Sequence, residues 1–185
     1  GPIVTSPAIA GGVVYIGSMS GHLYAIDQQT GKEKWNFKSR MPIASSAAVA
    51  DGTVYFTSST GSLAAIDAAT GQPKWVFVAE YERKFEAKNL HGYPSAAQTI
   101  PDAWDVFTSS PAVVDGKAYF GSGDGNVYAV DAKSGVLQWK FATQDVVHAS
   151  PAVVNGVVYI GSWDGRLYAI DAATGALILV NSATL

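Results

Sequence analysis

Seven side chains outside the repetitive parts of the chain are of types that do chemistry: His91, His148, Asp124, Asp164, Arg83, Lys84 and Arg166. A histidine beside a carboxylate can relay a proton near neutral pH. His91 and His148, together with Asp105 or Asp164, could in principle ligate a divalent metal. The spacing does not support either use. No His-x-x-x-His pair, Ser-His-Asp order, phosphate loop or dinucleotide fingerprint is present. No catalytic residue and no metal site is therefore assigned. The same residues suit recognition better. Trp163 and Trp104 have Asp and Arg nearby, a composition fit for a sugar or peptide surface.

Whatever these residues do, a repeat must position them. Ser6, Ser46, Ser110 and Ser150 each open a segment in the same phase, as do Tyr15, Tyr55, Tyr119 and Tyr159 further on. So do Asp27, Asp67, Asp131 and Asp171, then Gly31, Gly71, Gly135 and Gly175. Trp35, Trp75 and Trp139 recur in step, and Leu179 stands in the fourth copy. The period is 40 residues, except between the second and third copies, where 24 extra residues intervene. Each copy reads as four short strands separated by Gly-containing turns. In the third, strands are expected over residues 110–114, 117–122 and 126–130, with Trp139 and Phe141 on one face of the last. Asp115-Gly116 between the first two suits a tight hairpin whose central residues both have positive φ. Nothing sustains a helical period in the repeats.

Tandem four-stranded units of this length predict an all-β propeller of antiparallel blades. The blades are placed at 3–40, 41–80, 108–144 and 145–185, with an insertion at 81–107. Gly1-Pro2 reads as the remnant of a cleaved tag. The repeated Asp is expected to accept backbone N–H groups across its turn and the repeated Gly to supply positive φ, a fourfold structural device and not an active site.

The pattern Tyr-Ala-Ile-Asp-x-x-Thr-Gly-x-x-x-Trp at Tyr24 to Trp35, with copies at Ala64 to Trp75 and Tyr128 to Trp139, resembles the repeat of pyrroloquinoline-quinone (PQQ)-type propellers. That family includes quinoprotein dehydrogenases and the outer-membrane-assembly lipoprotein propeller. The resemblance implies that the strand-four Trp docks between blades, that rings close with about seven or eight blades, and that the compartment is the bacterial periplasm or another extracytoplasmic space. PQQ with calcium is a possible cofactor, but the enzymes of the family often use adjacent Cys, and this chain has no Cys. No cofactor is therefore expected. The expected function is a non-catalytic module presenting a loop-bearing face to a protein, peptide or carbohydrate; the alternative is a fragment of a quinoprotein dehydrogenase.

Four blades should form half a ring. Two copies closing head to tail, a longer parent chain, or four blades closing alone are the possible outcomes, and self-association is the expected one for the isolated chain. Composition narrows the partners. Of 185 residues, 48% are hydrophobic and 15% charged, with a net charge of −3. A core is affordable, and no basic stripe points to nucleic acid. No apolar run reaches the length of a membrane span. The face carrying the second-to-third strand turns collects Asp124, Trp163, Asp164, Arg166 and His148, and also the insertion with Arg83, Lys84, His91, Tyr93, Trp104 and Asp105. Binding is expected there.

Overall fold

A computed structural model describes residues 1–59, 61–80 and 108–182. It contains four antiparallel four-stranded sheets, each a sequential meander, and no helix among the described residues. Blade 1 is β1 (Ala8–Ala10), β2 (Val13–Gly17), β3 (His22–Asp27) and β4 (Glu33–Lys38). Blade 2 is β5 (Ala48–Ala50), β6 (Thr53–Thr57), β7 (Leu63–Asp67) and β8 (Pro73–Phe77). Blade 3 is β9 (Ala112–Val114), β10 (Lys117–Gly121), β11 (Asn126–Asp131) and β12 (Leu137–Ala142). Blade 4 is β13 (Ala152–Val154), β14 (Val157–Ser162), β15 (Arg166–Asp171) and β16 (Leu177–Ser182). The innermost strands are three residues long, shorter than the five expected from residues 110–114. Ser110 and Pro111 lie outside the ladder, and Pro111 has no N–H to donate to it.

The hairpin expectation holds. Asp115 and Gly116 both have positive φ, 49° and 71°, and Asp51-Gly52 and Asn155-Gly156 repeat this. A register shift falls between Ala129 and Val130, and the same shift recurs in the other blades. It lets Trp139 sit opposite Ala129 and Phe141 opposite Val127, on one face.

Three core clusters fill the three junctions between successive blades. One face of blade 1 (Tyr15, Leu23, Ala25) packs on the opposite face of blade 2 (Val54, Phe56, Ile66). Blade 2 meets blade 3 through Tyr55, Leu63 and Ala65 against Phe120, Tyr128 and Val130. Blade 3 meets blade 4 through Tyr119, Val127 and Trp139 against Val158, Ile160 and Tyr168. Polar bonds repeat at each junction. Tyr15 Oη and Trp35 Nε1 both donate to the Ala68 carbonyl, Tyr55 and Trp75 to that of Ala132, and Tyr119 and Trp139 to that of Ala172. Nearer the ring centre, Ser6 N–H donates to Ser46 Oγ, Ser46 to Ser110 and Ser110 to Ser150. The strand-four Trp is thus an anchor between blades. The Gly of the next blade gives it room, because a Cβ on Gly175 would lie 2.8 Å from the Trp139 ring.

The arc is open. Tyr159 is 39% exposed and Leu167 50%, whereas their counterparts Tyr15, Tyr55, Leu23 and Leu63 are at 3% or less.

Candidate functional site

The two rims of the arc differ. On the rim of the first-to-second and third-to-fourth strand turns, one device recurs four times. Oδ1 of Asp27 accepts the N–H groups of Gln29 and Thr30 and the Thr30 hydroxyl, at 3.2, 2.9 and 2.9 Å. Asp67, Asp131 and Asp171 do the same in their turns. These bonds favour the ionised form and hold all four carboxyls below the ordinary Asp range. Lys34 and Lys74 add exposed ion pairs to Asp27 and Asp67, at 3.6 and 3.4 Å, of a kind that contributes little. The repeated Asp residues are therefore structural, as expected.

The other rim carries the second-to-third strand turns, and here the blades depart from one another. Each turn begins at Ser18, Ser58, Ser122 or Ser162, whose carbonyl accepts the N–H of Gly21, Gly61, Gly125 or Gly165. The linkers entering the next blade lie across them, with Ile43 N–H bonded to Ser18 O and Val147 N–H to Ser122 O. This approach is close: a Cβ on Gly121 would stand 2.5 Å from the Val147 carbonyl oxygen.

In blade 3 the turn presents Asp124, which is 3% exposed. It accepts from Tyr128 Oη at 2.7 Å and from the Asn126 N–H and Nδ2 at 3.0 and 3.1 Å. Tyr128 Oη in turn accepts the Glu80 N–H at 3.0 Å. Burial raises the Asp124 carboxyl above the ordinary range, against the pull of these donors. Burial, and then the Asp124 charge, push the Tyr128 hydroxyl well above that of a free phenol. Blade 4 repeats the arrangement in a more open form. Asp164 accepts from Arg166 N–H and Gln144 N–H at 3.0 Å and from Tyr168 Oη at 2.5 Å. Blades 1 and 2 have Ser20 and Thr60 at this position and no such carboxylate.

Asp124 and Asp164, singled out for possible chemistry, are therefore each committed to an Asp–Tyr pair. Sequence reading overlooked Tyr128, Tyr168 and Asn126; the signal available was an Asp in the second-to-third strand turn four residues before a Tyr, which at that turn occurs only in blades 3 and 4. His148 and Trp163 come together edge to face, with ring centroids 5.0 Å apart. Arg166 follows on the same turn. Close by, a cavity of about 10 Å³ is lined by Ser59, Thr108, Ser109, Ser122 and His148. Among the described residues, Ser59 Oγ and Thr108 Oγ1 are buried there without a hydrogen-bond partner. Arg83, Lys84, His91, Tyr93, Trp104 and Asp105 lie outside the described residues. No group of three His, Asp or Glu able to hold a metal occurs among the described residues, and no helix there is long and apolar enough to cross a membrane.

The family model described as outer membrane protein assembly factor BamB matches residues 1–97 and 95–178. No curated protein matches the chain by sequence. The crystal structure of BamB from Moraxella catarrhalis is similar in fold at 21% identity and TM-score 0.74, over 96% of this chain and 49% of that one. Quinohemoprotein alcohol dehydrogenase ADHIIG from Pseudomonas putida HK5 is similar at 21% identity and TM-score 0.78, over 99% of this chain and 34% of that one. The computationally designed Ika4 protein superposes with TM-score 0.68 at 18% identity, over 91% of this chain and 89% of its own. The chain thus spans about half the length of BamB and about a third of the dehydrogenase. PQQ with calcium, which the wider family suggests, needs a site of roughly six to eight oxygen ligands including free carboxylates. Of the carboxylates on this rim, Asp124 and Asp164 already accept three hydrogen bonds each and Asp145 accepts the Val146 N–H, and no three of the described ligand-type side chains converge, so the described residues do not fit that group.

Proposed function

We propose, from the premise that this chain belongs to the PQQ-like propeller family whose model is described as outer membrane protein assembly factor BamB, that it is a non-catalytic recognition module. Its working surface is the rim of the second-to-third strand turns, and its ligand is a protein, peptide or carbohydrate. One observation carries this reading. The rim with the repeated Asp turns is alike in every blade, whereas the opposite rim concentrates the individual side chains: Trp163 against His148, Arg166, and the Asp–Tyr pairs of blades 3 and 4. A rigid scaffold with one differentiated rim is the usual layout of a binding surface. The half-buried indole of Trp163 offers a flat apolar face flanked by hydrogen-bonding groups, which matches the faces of sugars and of extended peptides. By analogy with the named assembly factor, the setting is bacterial and extracytoplasmic.

Fluorescently labelled protein probed on glycan and peptide arrays tests the reading. Binding that falls at least tenfold in both Trp163→Ala and Arg166→Ala supports it. Binding that survives both substitutions, or no binding on either array, overturns it. Deleting residues 82–103 in the same assay decides whether the insertion contributes. The enzymatic alternative is tested by dye-linked alcohol oxidation with added PQQ and calcium, where turnover requiring both would replace the recognition reading.

A further inference from the structure

The end faces of the arc carry the two unmatched halves of the junction that recurs inside it. Each internal junction is made of a Tyr and a Trp donating to one carbonyl, a Ser rung, and a large ring entering the space above a turn Gly. Blade 4 ends with the donor half. Tyr159 stands where Tyr15, Tyr55 and Tyr119 stand, Leu167 where Leu23 stands, and Ser150 holds the last rung with its N–H unmatched among the described residues. Blade 1 begins with the acceptor half. The Gln28 carbonyl corresponds to those of Ala68, Ala132 and Ala172, and Ser6 Oγ accepts no rung. That face is hollowed into a groove of about 370 Å³ between Ile16, Tyr24, Ile26 and Gly31, with Gly1 and Ile3 of the leading segment along its wall. Gly31 is the counterpart of the three glycines covered by Trp rings, yet a Cβ there would meet nothing within 4 Å.

We infer that, in the isolated 185-residue chain, a second copy occupies these ends, blade 4 of each copy docking on blade 1 of the other, so that two copies close one ring. The argument rests on continuity with the internal interface, not on exposure alone. Both halves lie on one chain, and two copies supply the length of one BamB chain, on half of which this arc superposes. A head-to-tail contact that closes after two copies gives a discrete dimer with no open end. In it Tyr159 Oη donates to the partner's Gln28 carbonyl, Ser150 N–H donates to the partner's Ser6 Oγ, and Leu179 enters the groove above Gly31. Leu179 in place of Trp lacks the indole donor, and Asn181 replaces the Phe of the other blades. This junction is therefore weaker than the internal ones, and the dimer dissociates reversibly on dilution. The inference does not depend on the recognition reading, since it concerns the end faces and not the rim.

Sedimentation of the 185-residue chain over a range of micromolar concentrations tests it. The expected result is a species of twice 19.3 kDa in equilibrium with monomer. Leu167→Glu and Ile16→Glu, on opposite end faces, should each give folded monomers by circular dichroism. Mixing the two should restore dimers, because one of the two junctions is then wild type on both sides. Leu179→Trp should tighten the dimer by roughly tenfold or more through the added indole donor and ring contact. A monomer at every concentration overturns the inference. So does an open series of larger oligomers, a mixture that stays monomeric while wild type dimerises, or a Leu179→Trp dimer no tighter than wild type.

Discussion

The anchor between blades 3 and 4 is expected to dominate the stability of the carboxyl-terminal half. Trp139→Leu installs there the residue that blade 4 itself carries in the same register. Trp139 is 8% exposed, its Nε1 bonds the Ala172 carbonyl at 3.1 Å, and its ring lies 5.8 Å from that of Tyr119. Removing a buried Trp down to Ala typically costs about 3–5 kcal/mol, and Leu refills roughly half of that volume, leaving about 2 kcal/mol. The lost hydrogen bond adds about 0.5 kcal/mol, at the low end, because Tyr119 Oη still satisfies the same carbonyl. The lost ring pair adds about 0.5 kcal/mol more. The sum is about 3 kcal/mol. Urea unfolding followed by fluorescence at one protein concentration should show this loss, with the blade 4 signal moving first because stacked repeats couple only to their neighbours. The half-buried Trp35 and Trp75, changed in the same way, should lose less. A loss under about 1 kcal/mol for Trp139→Leu would refute the view that this ring, and not the backbone ladder, fastens the blades together.

Gly12 and Gly175 both have a φ of 75°, but only Gly175 faces a ring. Gly12→Ala should cost about 1–2 kcal/mol from the left-handed backbone alone, and Gly175→Ala about 1–3 kcal/mol more from overpacking against Trp139; equal midpoints in urea would contradict this. Ser110→Ala removes the acceptor of Ser46 N–H and should cost about 1 kcal/mol, whereas Ser6→Ala, which breaks no such rung, should leave monomer stability unchanged in the same measurement. In an NMR titration of the carboxyl carbons, Asp27, Asp67, Asp131 and Asp171 should titrate below 3.8 and Asp124 above it. The four lowered groups therefore support the fold above that value, and their support is lost as pH falls below it. Asp124 acts in the opposite sense, favouring the fold as pH falls through its own raised value toward 3.8; a common titration point for all five would be inconsistent with their surroundings. Amides of residues 176–182 should exchange faster than those of β12, because β16 lacks the Trp anchor, and uniformly slow exchange there would count against this.

The blade architecture was legible because it is written four times. Period-two alternation places Trp139 and Phe141 on one face, and Asp-Gly or Asn-Gly marks each first turn through its demand for positive φ. The structural role of Asp27 and its copies was legible for the same reason, since a turn closes within three residues. The rim was less legible. Its residues could be gathered on one side by topology, but the pairing of Asp124 with Tyr128, or of His148 with Trp163, requires knowing how a linker from one blade crosses a turn of another. The possible metal set of His91 and His148 with Asp105 or Asp164 shows this limit well. Asp164 turns out to be held by Tyr168 and two backbone amides, while His91 and Asp105 lie outside the described residues.

By itself, then, the sequence determined the number of blades, the order of strands and turns in each, and the place where the pattern lapses at Leu179 and Asn181, because these depend on contacts local in the chain. Only the tertiary structure decided which face of each blade meets its neighbour, that Tyr and Trp share one carbonyl across each junction, and that Tyr159 and Leu167 of the last blade stay exposed where their counterparts are buried. Those facts depend on how one rigid sheet stacks on the next, and a repeat of 40 residues does not encode that stacking until the blades are set side by side.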